Sequence, residues 1–217
     1  MRTFPFLALS FFLAASAPAA GTSTFVTVDL SRKINTSLDA SVLFKGENHT
    51  NHLQELPAGK NVFDGIPFAV SGTIQLDCLE LHVMGKDYPK RVSNIEIAQS
   101  GSKIHLLHGT AWQDIPGVPL ADLEIRYEGG GSETFTIIYG VHVRDWWELK
   151  KDEIKDPDSK IVWRGKNPQA SAANATLRLY RTTFTNPHAE RKIASIDYIA
   201  RGSKSGPFMV GLTIEKP

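Results

Sequence analysis

The feature that most constrains this chain is the alternation of apolar and polar residues with a period of two. Leu123, Ile125 and Tyr127 alternate with Glu124, Arg126 and Glu128; Phe135, Ile137 and Tyr139 alternate with Thr134 and Thr136. Successive side chains of a strand point to opposite faces, so each run offers one face to a core and the other to water or a second layer. Gly129-Gly130-Gly131-Ser132 lies between the two runs and turns the chain at little steric cost, so the spacing predicts a hairpin. The same period sets Leu177 and Leu179 against Arg178 and Tyr180. It sets Ala194, Ile196, Tyr198 and Ala200 against Ser195 and Asp197, and Phe208, Val210, Leu212 and Ile214 against Met209, Gly211, Thr213 and Glu215. Further strands are expected at residues 25–30, 68–76, 95–98, 103–108 and 161–164, separated by turn signals such as Asp64-Gly65, Pro116-Gly117 and Gly202-Ser203. Many short, regularly punctuated strands predict an all-β antiparallel sandwich. No stretch predicts a helix of ten or more residues; residues 31–38 and 145–152 are each expected to form a single helical turn. The absence of a strand–helix–strand rhythm excludes a doubly wound parallel sheet.

Ahead of the strands, Arg2, the apolar run 4–15 and the small residues Ala17-Pro18-Ala19 have the order of a secretory signal peptide, with cleavage expected after Ala19. The competing reading is a membrane anchor, but the run is shorter than the roughly 20 residues a span needs. The expectation is therefore a signal peptide at residues 1–19 and a single β-sandwich domain at 20–217, periplasmic or secreted, with no membrane span after cleavage. The net charge of +1 is mixed along the chain, leaving no basic stripe for nucleic acid. Cys78 is the one cysteine, so no internal disulfide staples the chain, and its apolar surroundings predict a small buried group. Residues 148–160 are rich in charge and read as a solvated loop containing Pro157.

Four motifs carry a resemblance. They are Leu56-Pro57-Ala58-Gly59 with Val62-Phe63-Asp64-Gly65-Ile66-Pro67-Phe68; Ile104-His105-Leu106-Leu107-His108-Gly109-Thr110-Ala111-Trp112; Ile138-Tyr139-Gly140 with Val143-Arg144-Asp145-Trp146-Trp147; and Arg178-Leu179-Tyr180 with Thr185-Asn186-Pro187 and Ile196-Asp197. In this order they resemble an exported module of planctomycete and verrucomicrobial proteins, itself similar to galactose-binding-like β-sandwiches, including carbohydrate-binding modules found beside glycoside hydrolases. The resemblance implies a jelly-roll sandwich and a non-catalytic role; sugar binding follows from it only by analogy of fold.

The candidate contact residues are Asp145, Trp146, Trp147, Arg178, Tyr180, His108 and Trp112. Indole faces stack on the C–H surfaces of pyranose rings, and carboxylates accept hydroxyl protons. Adjacent indoles on a strand cannot face the same way, so at most one of Trp146 and Trp147 is expected to be buried. The plainer alternative has both plug the end of the sandwich while Arg144 and Asp145 form an ion pair. His105 and His108 point oppositely along their strand; His108, next to Gly109, is expected at a rim or as a satisfied core histidine. Arg178 and Tyr180 share a polar face, read either as a shallow groove or as a solvated surface. His49 and His52 are three apart with Glu47 and Glu55 nearby, but the segment reads as a loop and no further His or Cys lies close in sequence to complete a zinc site. Calcium held by scattered oxygens stays open without a contiguous acidic loop to support it. No Gly-x-Ser-x-Gly elbow, His-Glu-x-x-His or phosphate loop is present, so catalytic residues are not assigned. Three readings remain: a non-catalytic binding module for carbohydrate or another polyhydroxylated surface, a structural or protein-interaction module of the cell envelope, and a hydrolase assembled from distant loops.

Overall fold

The computed structural model describes residues 24–41 and 50–216. The expected signal peptide, and Glu47 and His49 of the candidate zinc ligands, lie outside the described residues. Thirteen strands and two five-residue helices are described. The larger sheet has the order β1 (Phe25–Thr27), β13 (Gly206–Glu215), β6 (Lys103–Ala111), β11 (Thr176–Thr185), β10 (Ser159–Gly165). Two short strands join it, β4 (Ile74–Gln75) on β13 and β9 (Trp147–Glu148) on β11. The smaller sheet runs β5 (Arg91–Ser100), β12 (Lys192–Ala200), β7 (Pro119–Tyr127), β8 (Ser132–Ile138). All pairings between strands are antiparallel, and the expected hairpin is β7–β8, with Leu123 opposite Phe135. The β-sandwich expectation therefore holds at the level of stacked antiparallel sheets.

The two sheets enclose one apolar core. Ile95, Leu123, Ile125, Ile137, Ile196 and Tyr198 of the smaller sheet meet Ile104, Leu106, Met209, Leu212 and Ile214 of the larger. The larger sheet is also covered on its outer side. The hairpin of β2 (Gly59–Phe63) and β3 (Ile66–Val70), with α1 (Leu79–Val83) and α2 (Pro168–Ala172), packs Phe63, Phe68, Leu81 and Ala170 against Leu107, Leu177, Leu179, Phe208 and Val210. Asp64 and Gly65 both adopt positive φ, 50° and 78°, the mirror-image turn that suits a two-residue hairpin. All ten residues of β13 are consequently buried.

The structure corrects three local expectations. Phe208, Val210, Leu212 and Ile214 do not share a face. The register with β6 shifts between Met209 and Gly211, so Phe208 and Val210 enter the outer cluster while Met209, Leu212 and Ile214 enter the inner one. This is a β-bulge, where one extra residue resets the alternation. A similar shift between Ile193 and Ser195 puts Ile193, not Ala194, in the inner core. Residues 145–152 form no helical turn. Trp146 N–H donates to Thr110 O at 2.8 Å and Arg178 N–H to Trp146 O at 2.8 Å, which draws the segment out as β9. The other expected turn does close once, with Ile34 N–H donating to Leu30 O at 3.1 Å.

Gly109 sits where β6 passes beneath Phe208; an added Cβ would lie 2.4 Å from that ring. Phe208 is itself fully buried against Trp146, so it has nowhere to move cheaply. Gly109→Ala is expected to cost about 1–3 kcal/mol in urea unfolding. An unchanged midpoint would show that this contact is slack.

Candidate functional site

One end of the sandwich is built where residues 139–158 cross the ends of β6 and β11. Asp145 bridges to Thr110, and Trp147 pairs with Leu177. Trp146 is 1% exposed and meets Phe208 edge-on, with ring centroids 5.6 Å apart. It acts as the plug anticipated in the plainer reading. Trp147 is half-buried, and its indole N–H donates to Asn51 Oδ1 at 3.1 Å.

Arg178 organises this end. Its side chain is buried, with Nε donating to Asp145 O at 2.8 Å and Nη1 engaging the carboxylates of Asp152 and, at 3.5 Å, Glu148. A buried charge persists only when it is paired and hydrogen-bonded. Glu148 is gripped from the far side by Arg164 at 2.7 and 3.1 Å, and that hydrogen bonding holds its carboxyl below the usual range. The guanidinium of Arg178 also lies 5.5 Å from the centre of the Tyr180 ring.

Beside Arg178 opens a cleft of about 320 Å³, whose walls include Tyr139, Arg144, Asp145, Trp147, Asp152 and Arg178. Three of the sequence-predicted contact residues thus share one concavity. The expected Arg144–Asp145 ion pair is not formed. Arg144 Nε donates to Glu153 O at 2.6 Å, lies 3.8 Å from Asp152, and stacks its charge over Tyr139. Asp145 is left accepting the Trp147 N–H at 3.2 Å; among the described residues no cation lies within ion-pair distance of its carboxylate. Burial, only partly offset by that hydrogen bond and by Arg178, pushes its carboxyl up to about 6. The cleft therefore offers an aromatic wall, a carboxyl that accepts or donates near neutral pH, and cations already committed to neighbours.

The remaining candidates stand elsewhere. Tyr180 is 1% exposed and belongs to the core between the sheets, not to a solvated face. His108 does not reach a rim, because β6 continues three residues beyond it. Its Nε2 meets Thr182 Oγ1 at 2.8 Å, and burial pushes the ring down to about 3, so it stays neutral. Trp112, at φ 63°, packs against the outer cluster and does not line the cleft. Asn186, bonded to Tyr127 and Gly101, and His188, near Glu133, also lie away from the cleft walls. Cys78 is buried at the start of α1, where burial lifts its thiol to about 11, far from a reactive thiolate. His105 pairs with Glu215 at 2.9 Å and Thr183 at 2.9 Å, and among the described residues no group of three or more His, Cys, Asp or Glu is placed to hold a metal ion. Sequence reasoning missed Asp152 and Glu148: in a segment so rich in charge, no pattern marks the two carboxylates that turn inward.

Comparison of the chain with protein-family models, with curated proteins and with solved structures returns no match.

Asp145→Asn keeps an oxygen for the Trp147 N–H and removes the charge. The folded carboxyl titrates near 6 against an ordinary 3.8, so the folded state binds more protons between those values. That stabilising contribution is present below the unfolded value and is lost as pH rises through about 6. The unfolding free energy of the variant should gain on wild type by on the order of 1–2 kcal/mol between about pH 4 and pH 7. A difference that stays constant across that range would contradict the burial assigned to Asp145.

Proposed function

We propose that this chain is a non-catalytic exported binding module, a jelly-roll sandwich of the galactose-binding-like kind, whose ligand is carbohydrate or another polyhydroxylated surface. The observation that carries the reading is that half-buried Trp147 lines the same cleft as Asp145 and Arg178. The indole stacks on the C–H face of a sugar ring, and the unpaired Asp145 carboxyl accepts its hydroxyls. Arg178 and Arg144 fix the walls, since their donors are directed at protein oxygens. Binding is weak, because one shallow cleft excludes little water. Removal of residues 1–19, a periplasmic or secreted location, no membrane span thereafter and no nucleic-acid partner complete the proposal.

A second reading, an interaction module of the cell envelope, draws on one observation. Leu79 and Val83, one turn apart on α1, are 54% and 74% exposed, with Met84 beside them at 44%. Such a patch suits a protein partner.

A glycan array separates the two. Wild type should retain at least one class of glycan; Trp147→Ala and Asp145→Ala should each weaken it about tenfold or more, with circular dichroism confirming the fold. Retention of no glycan, or full binding by both variants, would reject the cleft as a sugar site.

A further inference from the structure

The segment that carries the cleft leaves the smaller sheet after β8 and joins the larger one at β10, and its two ends meet at His142 and Asp156. Asp156 N–H donates to Val141 O at 3.1 Å, and His142 Nε2 lies 3.3 Å from the Asp156 carboxylate. Residues 142–155 thus form a loop closed at its neck, and Arg144, Asp145, Trp147 and Asp152 of the cleft wall all lie within it. The outgoing half is tied to the larger sheet as β9. The returning half is held by Asp152 on Arg178, by Glu153 O on Arg144, by Ile154 against the core, and by the neck.

The hydrogen bonds at the neck select one form of the His142 ring. Ile138 N–H donates to Nδ1 at 2.9 Å, so Nδ1 presents a lone pair. The ring proton is then on Nε2, where it faces Asp156. Both nitrogens are satisfied while the ring is neutral. A second proton would sit on Nδ1, donor against donor with Ile138 N–H. The turn there is tight, since His142 N–H itself donates to Ile138 O at 3.0 Å. Phe184 of β11 stands edge-on to the ring, with centroids 5.6 Å apart. Asp156 also reaches inward: its Oδ2 accepts from Ser159 Oγ at 3.3 Å, which meets Thr182 Oγ1 at 2.9 Å, the partner of His108. The neck is therefore anchored on β10 and β11. The titratable groups that act on the His142 ring are Asp156 and, on β6, His108, which is held neutral by burial. Burial holds the His142 ring below its ordinary 6.5, and Asp156 offsets only part of that.

We infer that His142 is the positioning residue of the cleft: its neutral ring latches the neck of the loop, and taking up a proton in mild acid opens the latch, frees the returning half with Asp152 and dissolves the cleft wall. The latch is a property of the free chain; that its opening releases a saccharide rests on the carbohydrate reading above. The ring binds a proton more readily in the open loop than in the latched one. The latched state therefore holds fewer protons and loses ground to the open one as pH falls through the ordinary histidine range. Asp145 titrates in the same range with the opposite sign, so the effect of His142 is read as a difference between proteins that all keep Asp145.

The test is amide hydrogen exchange of the full chain by NMR, for wild type, His142→Asn and His142→Phe, with circular dichroism confirming the fold of both variants. His142→Asn keeps an oxygen for Ile138 N–H and cannot take the proton. His142→Phe keeps the packing on Phe184 and removes both bonds. In wild type, protection of the His142 and Asp156 amides relative to those of β12, corrected for intrinsic exchange, should fall about fivefold or more from about pH 7.5 to about pH 5. His142→Asn should show no such fall, and His142→Phe should already be poorly protected at about pH 7.5. The imidazole nitrogens of wild type should show the proton on Nε2. Wild-type protection that is level with pH, an equal fall in His142→Asn, or a proton on Nδ1 overturns the latch. For a saccharide that binds, affinity should fall more steeply with acid in wild type than in His142→Asn; parallel curves overturn the control of the cleft. If no saccharide binds, the carbohydrate reading fails, and the exchange result alone decides the latch.

Discussion

The end of the molecule that carries the cleft depends on one buried charge. Arg178 projects from the middle layer of the fold with only about 2% of its side chain exposed, and a guanidinium in that position must be compensated on every side. Asp152 and Glu148 supply the negative charge, and the Asp145 carbonyl takes Nε. Each partner comes from a different stretch of the 145–152 segment. Holding them together fixes β9 against β11 and ties the charged loop back onto the sheet. Removing Arg178 would strip the Asp152 and Glu148 carboxylates of a shared cation, so the network is a constraint on shape more than a source of net stability.

The position of that charge follows from the layering. The seven-stranded sheet is covered on both faces, by the smaller sheet on one side and by the β2–β3 hairpin with the two short helices on the other. Leu177 and Leu179 face the outer cluster, while Arg178 and Tyr180 face inward, toward the gap between the sheets. Where the sheets part at the end of the sandwich, that gap opens. Trp146 closes its outer side over Phe208, and the residues left at the mouth are polar ones anchored by the backbone. The cleft thus lies where Arg178 occupies the inward face near the start of β11.

Much of the fold was legible because alternation is a direct image of a two-faced sheet. Leu123 to Tyr127 and Phe135 to Ile137 formed the hairpin that their spacing required. Alternation failed at Val210 and at Ala194, because a bulge inserts one residue and exchanges the faces beyond it, and a bulge leaves no fixed pattern in composition. It also failed to say that a polar face is buried. Arg178 looked like a surface residue because its partners, Asp152 and Glu148, lie about thirty residues away in a segment whose many charges read as solvated. Of the candidate contacts, Asp145, Trp147 and Arg178 came together, whereas His108 was drawn inside by the length of β6 and Trp146 by the plug. Sequence separation hides which charges pair; only the crossing of chain segments decides it.

The central claim is that the Asp145–Trp147–Arg178 cleft receives the ligand. Four tryptophans give four indole N–H signals in a nitrogen–proton correlation spectrum, each assignable by a single Trp→Phe substitution. Titration with a saccharide that the chain retains should shift the Trp147 signal, because that side chain lines the cleft, and should leave buried Trp146 nearly still. Saturable shifts confined to Trp112 or Trp163, with Trp147 unmoved, would place the ligand elsewhere and contradict the account.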